Sequence, residues 1–217
     1  MAAKPRRGSR HDDAQSSDRP APLFRAYLGI SLDGYIADRD GGVEWLERYI
    51  TPEQDFAAFF RSIGATVMGR RSYDWIVEHA YALETEGPVI VQTHRPLLEP
   101  RAAARGGRGT RGRAREASLG RGRFEAFDGD VRELAARLRE ELGGTGKDVY
   151  LFGGGESIAS FHEHGLVDRW ELGIVPALLG EGIPLFPRHS RGLDALRLTR
   201  SRVLRNGLIE ACYEPSK

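Results

Sequence analysis

Apolar and polar positions alternate between strand-like and helix-like stretches from Leu23 to Tyr213. Short apolar runs bounded by glycine or turn residues predict strands at Phe24–Ser31, Ala65–Met68, Gly87–Gln92, Phe124–Phe127 and Val149–Phe152. Between them the period lengthens to that of helices. Thr51 can cap the first, Pro52 suits its first helical position, and Phe56, Phe59, Phe60 and Ile63 form its buried stripe, which Gly64 ends. Gly69 then opens a second helix at Arg70. Asp130 and Glu133 form a capping box for a third, with Val131, Leu134, Ala135, Leu138 and Leu142 on one face. A fourth runs from Glu156 to His164, with Gly165 just past its end. Beyond Leu166 the helical period fades. Arg169–Pro176, Leu179–Leu185 and Leu193–Tyr213 read as strands, and Asn206-Gly207 suits a type I′ turn joining Ser201–Arg205 to Leu208–Tyr213. The sheet should therefore end in antiparallel strands.

Two segments have no such pattern. Residues 1–22, rich in Arg, Ser, Asp and Pro, read as a disordered tail, and residues 99–123 as a low-complexity Arg/Gly insertion. The remainder of the 217 residues, 23–217, suits a single α/β domain. The charge follows this division. Eight arginines against Glu116 give residues 101–123 a charge of +7, residues 1–22 carry +2, and the rest carries −8 within a net +1. An acidic body does not suit a duplex nucleic-acid binder. A lone cysteine, Cys212, excludes an internal disulfide, and no His/Cys cluster offers a metal site. No run approaches the roughly 20 apolar residues of a membrane helix, so a cytoplasmic enzyme is expected, with no membrane partner.

Candidate chemistry gathers where strands meet helices. Gly153, Gly154 and Gly155 follow a strand and precede a helix, so a ligand can approach bare backbone and the positive end of a helix dipole. Gly69-Arg70-Arg71-Ser72 repeats the arrangement and adds two guanidinium groups. Thr93, His94 and Arg95 stand at the end of a third strand, the edge where ligands bind open α/β sheets. All three suit an anion such as a phosphate. A second reading starts from Gly155-Glu156-Ser157-Ile158-Ala159, which approaches a hydrolase nucleophile elbow, with Asp168 and His189 following in order. The Arg/Gly insertion allows a third, a non-catalytic nucleotide or RNA binder. A loop at Asp38–Gly42 delivers Trp45, either a core anchor or a substrate contact. Asp33 before Gly34 is either a turn former or an acid facing the cleft.

The order of motifs resembles the dihydrofolate reductase-like family typified by the C-terminal reductase domain of bacterial riboflavin biosynthesis. The motifs are Ser31-Leu32-Asp33-Gly34-Tyr35-Ile36-Ala37, Trp45, Val67-Met68-Gly69-Arg70-Arg71-Ser72-Tyr73, Thr93, Phe152-Gly153-Gly154-Gly155, Leu166-Val167-Asp168 and Ile174–Phe186. The resemblance implies a three-layer fold with helices on both faces of a central, mostly parallel sheet. It implies NADPH as hydride donor and a small heterocycle of pterin or aminopyrimidine type as acceptor. Gly69, Arg70, Arg71 and Ser72 would hold cofactor phosphates, as would Gly153, Gly154, Gly155, Glu156 and Ser157. Thr93, His94 and Arg95 would surround the 2′-phosphate. Asp33 would act as the catalytic acid, and Trp45 and Asp55 would contact substrate, with Glu53 and Gln54 competing for the place of Asp55. A homodimer is implied too. The chain departs from the riboflavin reductases proper at Ser62–Thr66, where those tend to show an Arg and an Asp-Ala pair. No deaminase domain precedes it, so a stand-alone reductase fits better.

Overall fold

The computed structural model describes residues 21–79, 81, 83–97, 123–187 and 192–216. The expected tail and insertion therefore lie almost wholly outside the described residues, as does His189. In chain order the elements are β1 (Phe24–Ser31), β2 (Tyr35–Ala37), α1 (Glu44–Glu47), α2 (Phe56–Arg61), β3 (Ile63–Gly69), α3 (Arg70–Glu78), β4 (Val89–Gln92) and β5 (Phe124–Phe127). There follow α4 (Val131–Leu142), β6 (Asp148–Gly153), α5 (Gly155–Glu163), β7 (Arg169–Val175), β8 (Ile183–Pro184), β9 (Leu196–Val203) and β10 (Ile209–Pro215).

Eight strands form one sheet in the order β5-β4-β3-β6-β1-β7-β10-β9. The first six are mutually parallel, whereas β10 runs antiparallel to β7 and to β9. Late insertion of β6 between β3 and β1 brings the carboxyl ends of β1, β3, β4 and β6 to one edge, and ligands of open α/β sheets bind at such an edge.

The alternation within each strand decides which helices cover which face. Val67, Val149, Leu151, Phe24 and Ala26 meet Leu134 and Leu138 of α4 and Ile158 and Phe161 of α5. On the opposite face Met68, Val89 and Val91 pack on Tyr73 and Ile76 of α3, and Tyr150 packs on Phe59 of α2. The three-layer reading therefore holds.

Local differences have local causes. The first long helix starts at Phe56, because Asp55, not Thr51, supplies the cap: its Oδ1 accepts the Ala58 N–H at 2.9 Å. Ile63 leaves the helix and begins β3 opposite Asp148, so Gly64 is a strand residue. Leu179–Leu185 contributes only the two residues of β8, paired with β2. The last hairpin closes between Leu204 and Leu208, with three residues between them and Gly207 at φ +84°, so the loop is longer than the two-residue turn expected. The end of α5 does match: Leu166 N–H reaches Phe161 O and Gly165 N–H reaches His162 O, with Gly165 at φ +64°.

Candidate active site

β3 and β6 are neighbours, and both pass into helices at the same edge through glycine. The N-caps of α3 and α5 are Gly69 and Gly154, and neither has a side-chain cap bond. The first-turn N–H groups of both helices are thus left for another acceptor, with two dipole ends converging. The turns abut closely. A β-carbon on Gly69 would lie 3.3 Å from Ser157 Cβ and 3.8 Å from Gly154 N, and one on Gly154 would lie 3.7 Å from Ser72 Oγ. Glycine at these positions keeps a shallow cradle open. A side chain on Gly155 would overlap the Pro184 carbonyl, so β8 closes one side of the cradle and excludes any larger residue.

The third element, β4, ends at Gln92, in register with Gly69. The sequence did not single out Gln92, yet it links the two sides: Ser157 Oγ donates to its Oε1, and its Nε2 donates to Ser160 Oγ at 3.4 Å. Ser160 Oγ in turn donates to Ser157 O at 2.7 Å. The first turn of α5 is thereby fastened to β4. Just beyond, Thr93 is nearly buried and its Oγ1 accepts the Arg95 N–H at 3.1 Å, turning the chain at the strand end. Arg70 spans from α3 to this loop, its Nε donating to Asp74 Oδ1 at 2.7 Å and its Nη1 to Pro96 O at 3.1 Å. His94 pairs with Asp128, and Arg71 and Arg95 are exposed. Gly69–Ser72, Thr93–Arg95 and Gly153–Ser157 are thus brought to one edge. Glu156 lies in the first turn of α5, where its carboxylate would oppose a phosphate and only its backbone could serve one.

The substrate-side expectations fare differently. Asp33 Oδ1 accepts from Ser31 Oγ at 2.6 Å and from Leu179 N at 3.2 Å, and Oδ2 accepts from Gly180 N at 2.7 Å. The Ser31 bond, with the Gly180 and Leu179 N–H groups behind it, lowers the Asp33 pKa below its ordinary value. A carboxylate so bonded ties the turn after β1 to the loop after β7. Trp45 is partly buried and packs with Leu46 and Tyr49 of the same segment on Val175, Leu204 and Leu208. Asp55 caps α2 with one oxygen and borders a cleft on that helix's side of the sheet.

The hydrolase alternative loses its geometry. Ser157 gives its proton to Gln92, and Asp168 sits before β7 at the opposite, amino edge, bonded to the Phe24 N–H at 2.8 Å. Burial raises the Asp168 pKa. Among the described residues no group of three His, Cys, Asp or Glu side chains could hold a metal, and no helix is long and apolar enough to cross a membrane.

The residues present suit a dinucleotide. Two uncapped helix starts can take a pyrophosphate, and hydroxyl and guanidinium groups stand beside them. The chain also has relatives among known proteins. The chain is 27% identical over 187 residues to the uncharacterized protein YyaP of Bacillus subtilis (strain 168), covering 86% of this chain and 91% of that protein. It superposes with a TM-score of 0.70 on a crystal structure described as a candidate riboflavin biosynthesis protein from Shewanella sp. PV-4, at 23% identity, covering 90% of this chain and 99% of the other. It also superposes on dihydrofolate reductase from Enterococcus faecalis complexed with NADP(H), with a TM-score of 0.57 and 15% identity, covering 90% and 97% of the two chains. The model of the RibD C-terminal domain matches residues 23–209. With that span matched and the dihydrofolate reductase-like fold in place, the chain belongs to the RibD C-terminal domain family.

Proposed function

We propose that the protein is an NADPH-dependent reductase acting on a small heterocycle of pterin or aminopyrimidine type. One observation carries the reading: two helices with uncapped N-termini, α3 and α5, meet across neighbouring strands beside the arginine- and threonine-bearing end of β4. Gly69, Ser72, Gly153, Gly154 and Gly155 would form the pyrophosphate cradle, and Gln92 would hold its α5 side in place through Ser157. Arg70, Arg71, Thr93 and Arg95 would supply the donors that distinguish a 2′-phosphate from a bare ribose. NADPH when bound supplies the hydride. The protein's part is to fix the dinucleotide against the acceptor and to exclude water.

Family membership and the E. faecalis neighbour, which was solved with NADP(H), support a nicotinamide cofactor. The test is a titration with NADPH and with NADH, followed by nicotinamide fluorescence. NADPH should bind more tightly, and Arg71→Ala or Arg95→Ala should narrow the difference. Equal affinity for both would overturn the 2′-phosphate assignment.

A further inference from the structure

β9 is the outermost strand at one end of the eight-stranded sheet, and all of its residues are exposed. Its sequence is not that of a strand wetted on both sides. Register with β10 sorts the residues onto two faces: Leu196 lies opposite Pro215, Leu198 opposite Tyr213, Ser201 opposite Ala211 and Val203 opposite Ile209. Tyr213 packs against the core cluster beneath α4 and α5, and alternation along β10 puts all four pairs on that same face. Cover by the helices ends there. Leu198 is 50% exposed and Val203 71%, with Leu196 and Ile209 exposed beside them. Inward, Tyr213 pairs with Trp170, on which the exposed ring of Phe186 lies at 5.2 Å between centroids. The apolar strip therefore runs unbroken from the sheet edge to the margin of α5, and such a strip marks an interaction surface.

The chain itself cannot supply the cover. Outside the described residues its only large apolar side chains are Met1, Leu98 and Leu119, too few to coat the strip. Charge then identifies the partner. None of the four register pairs on the apolar face contains a charged residue, whereas the opposite face of the same hairpin carries Arg197, Arg200, Arg202, Glu210 and Glu214. Across a two-fold axis a patch meets its own copy, so a face with excess charge repels itself and an uncharged apolar face does not. Two copies could instead join edge to edge. Matching their apolar faces in an antiparallel pairing would set Arg197 of one β9 opposite Arg202 of the other, and like charges directly opposite are destabilising. Packing face to face avoids that contact.

We propose that the uncharged face of the β9–β10 hairpin is a homodimer interface, packed on the same face of a second copy across a two-fold axis and centred on Ser201 between Leu198 and Val203. The inference is independent of the reductase reading, since none of these residues lies at the glycine turns.

The test uses the full chain. Sedimentation equilibrium at micromolar concentration should give twice the chain mass of 24.1 kDa. Leu198→Arg combined with Val203→Arg places like charges on both copies and should raise the dimer dissociation constant about a hundredfold or more. The far-UV spectrum should not change, because both side chains are exposed in the single chain. Arg200→Glu, on the opposite face, should leave the association as it was. A second pair of variants decides the matter even if the double arginine variant unfolds. Ser201→Cys should cross-link two chains through a short bismaleimide and Arg200→Cys should not, while the native Cys212 is buried. A monomer at every concentration, a dimer indifferent to the two arginines, or equal cross-linking from both cysteines would overturn the proposal.

Discussion

Arg25 at the amino end of β1 and Arg71 in the first turn of α3 carry the same functional group in opposite states. The Arg25 side chain is 11% exposed, and its guanidinium bonds Glu171, Asp148 and Ser62 while lying 4.7 Å over the Phe59 ring. Burial opposes its charge, but the bonds and attraction of Glu171 and Asp148 outweigh that, and its pKa rises above the ordinary arginine value. Its donors are spent on the fold. At the other edge Arg70, its side chain 14% exposed, holds one carboxylate and one carbonyl, whereas Arg71 is exposed; both lie in the first turn of a helix that has no side-chain cap. The difference teaches that an arginine's role is read from how many of its donors the fold already uses, not from its presence in a motif.

Removing the saturated arginine should have the largest effect on stability. Arg25→Met leaves Glu171 buried without its partner, and a broken buried pair costs about 3–5 kcal/mol. Urea unfolding should show that loss while the NADPH-to-NADH affinity ratio of the folded fraction is unchanged. Changing Glu171 to Met as well should recover part of it, because an apolar pair leaves no stranded charge. Arg71→Ala should do the reverse. Losing a hydrogen bond to a charged group, about 1.5–3 kcal/mol, would weaken NADPH roughly tenfold to a hundredfold, with NADH and the melting temperature nearly unmoved. If Arg71→Ala instead lowers the melting temperature and spares NADPH, the contrast between the two edges fails.

The sequence made this contrast only half legible. Strand ends, the glycine turns and the gathering of anion-binding groups could be read because each depends on residues within a few positions of one another. The Asp130 cap and the Gly165 helix end are local in the same way. Asp33 was illegible for the opposite reason: its partners Leu179 and Gly180 lie 146 and 147 residues away, so a turn former and a catalytic acid look alike. Ile63 fits the helical stripe by spacing, and only its pairing with β6 makes it a strand residue. The short helix α1 has no periodic signal at all and is held by the packing of Trp45 and Leu46. The cleft on the α2 face is assembled from β1, α2, β7, β9 and β10, whose proximity no local pattern encodes.

Gln92 sharpens the comparison at smaller scale, since its amide bonds two serine hydroxyls of α5 and no charged group is among those partners. Gln92→Ala removes the acceptor for Ser157 and the donor to Ser160, a change of about 1 kcal/mol by the usual net value of a hydrogen bond. NADPH affinity should fall roughly fivefold as the first turn of α5 loosens, with kcat little changed. A fall in kcat at constant NADPH affinity would place Gln92 outside the cradle.

The smallest effect is a local one at Asp33, which joins the turn after β1 to the loop after β7. Its folded pKa is lowered, so the tie is complete above the unfolded value near 4 and is lost as pH falls through the still lower folded value. Amide exchange at Leu179 and Gly180, corrected for intrinsic rates, should therefore keep its protection from neutral pH down to about pH 4 and lose it as the pH falls further. In Asp33→Asn the side chain still accepts hydrogen bonds but no longer titrates, so protection there should be weaker at pH 7 and flat across the same range. Protection that stays constant in the unaltered chain would mean that the loops are held by the Leu32–Ala177 and Leu185–Gly34 backbone bonds alone. Asp33 would then carry no share of the tie between the two loops.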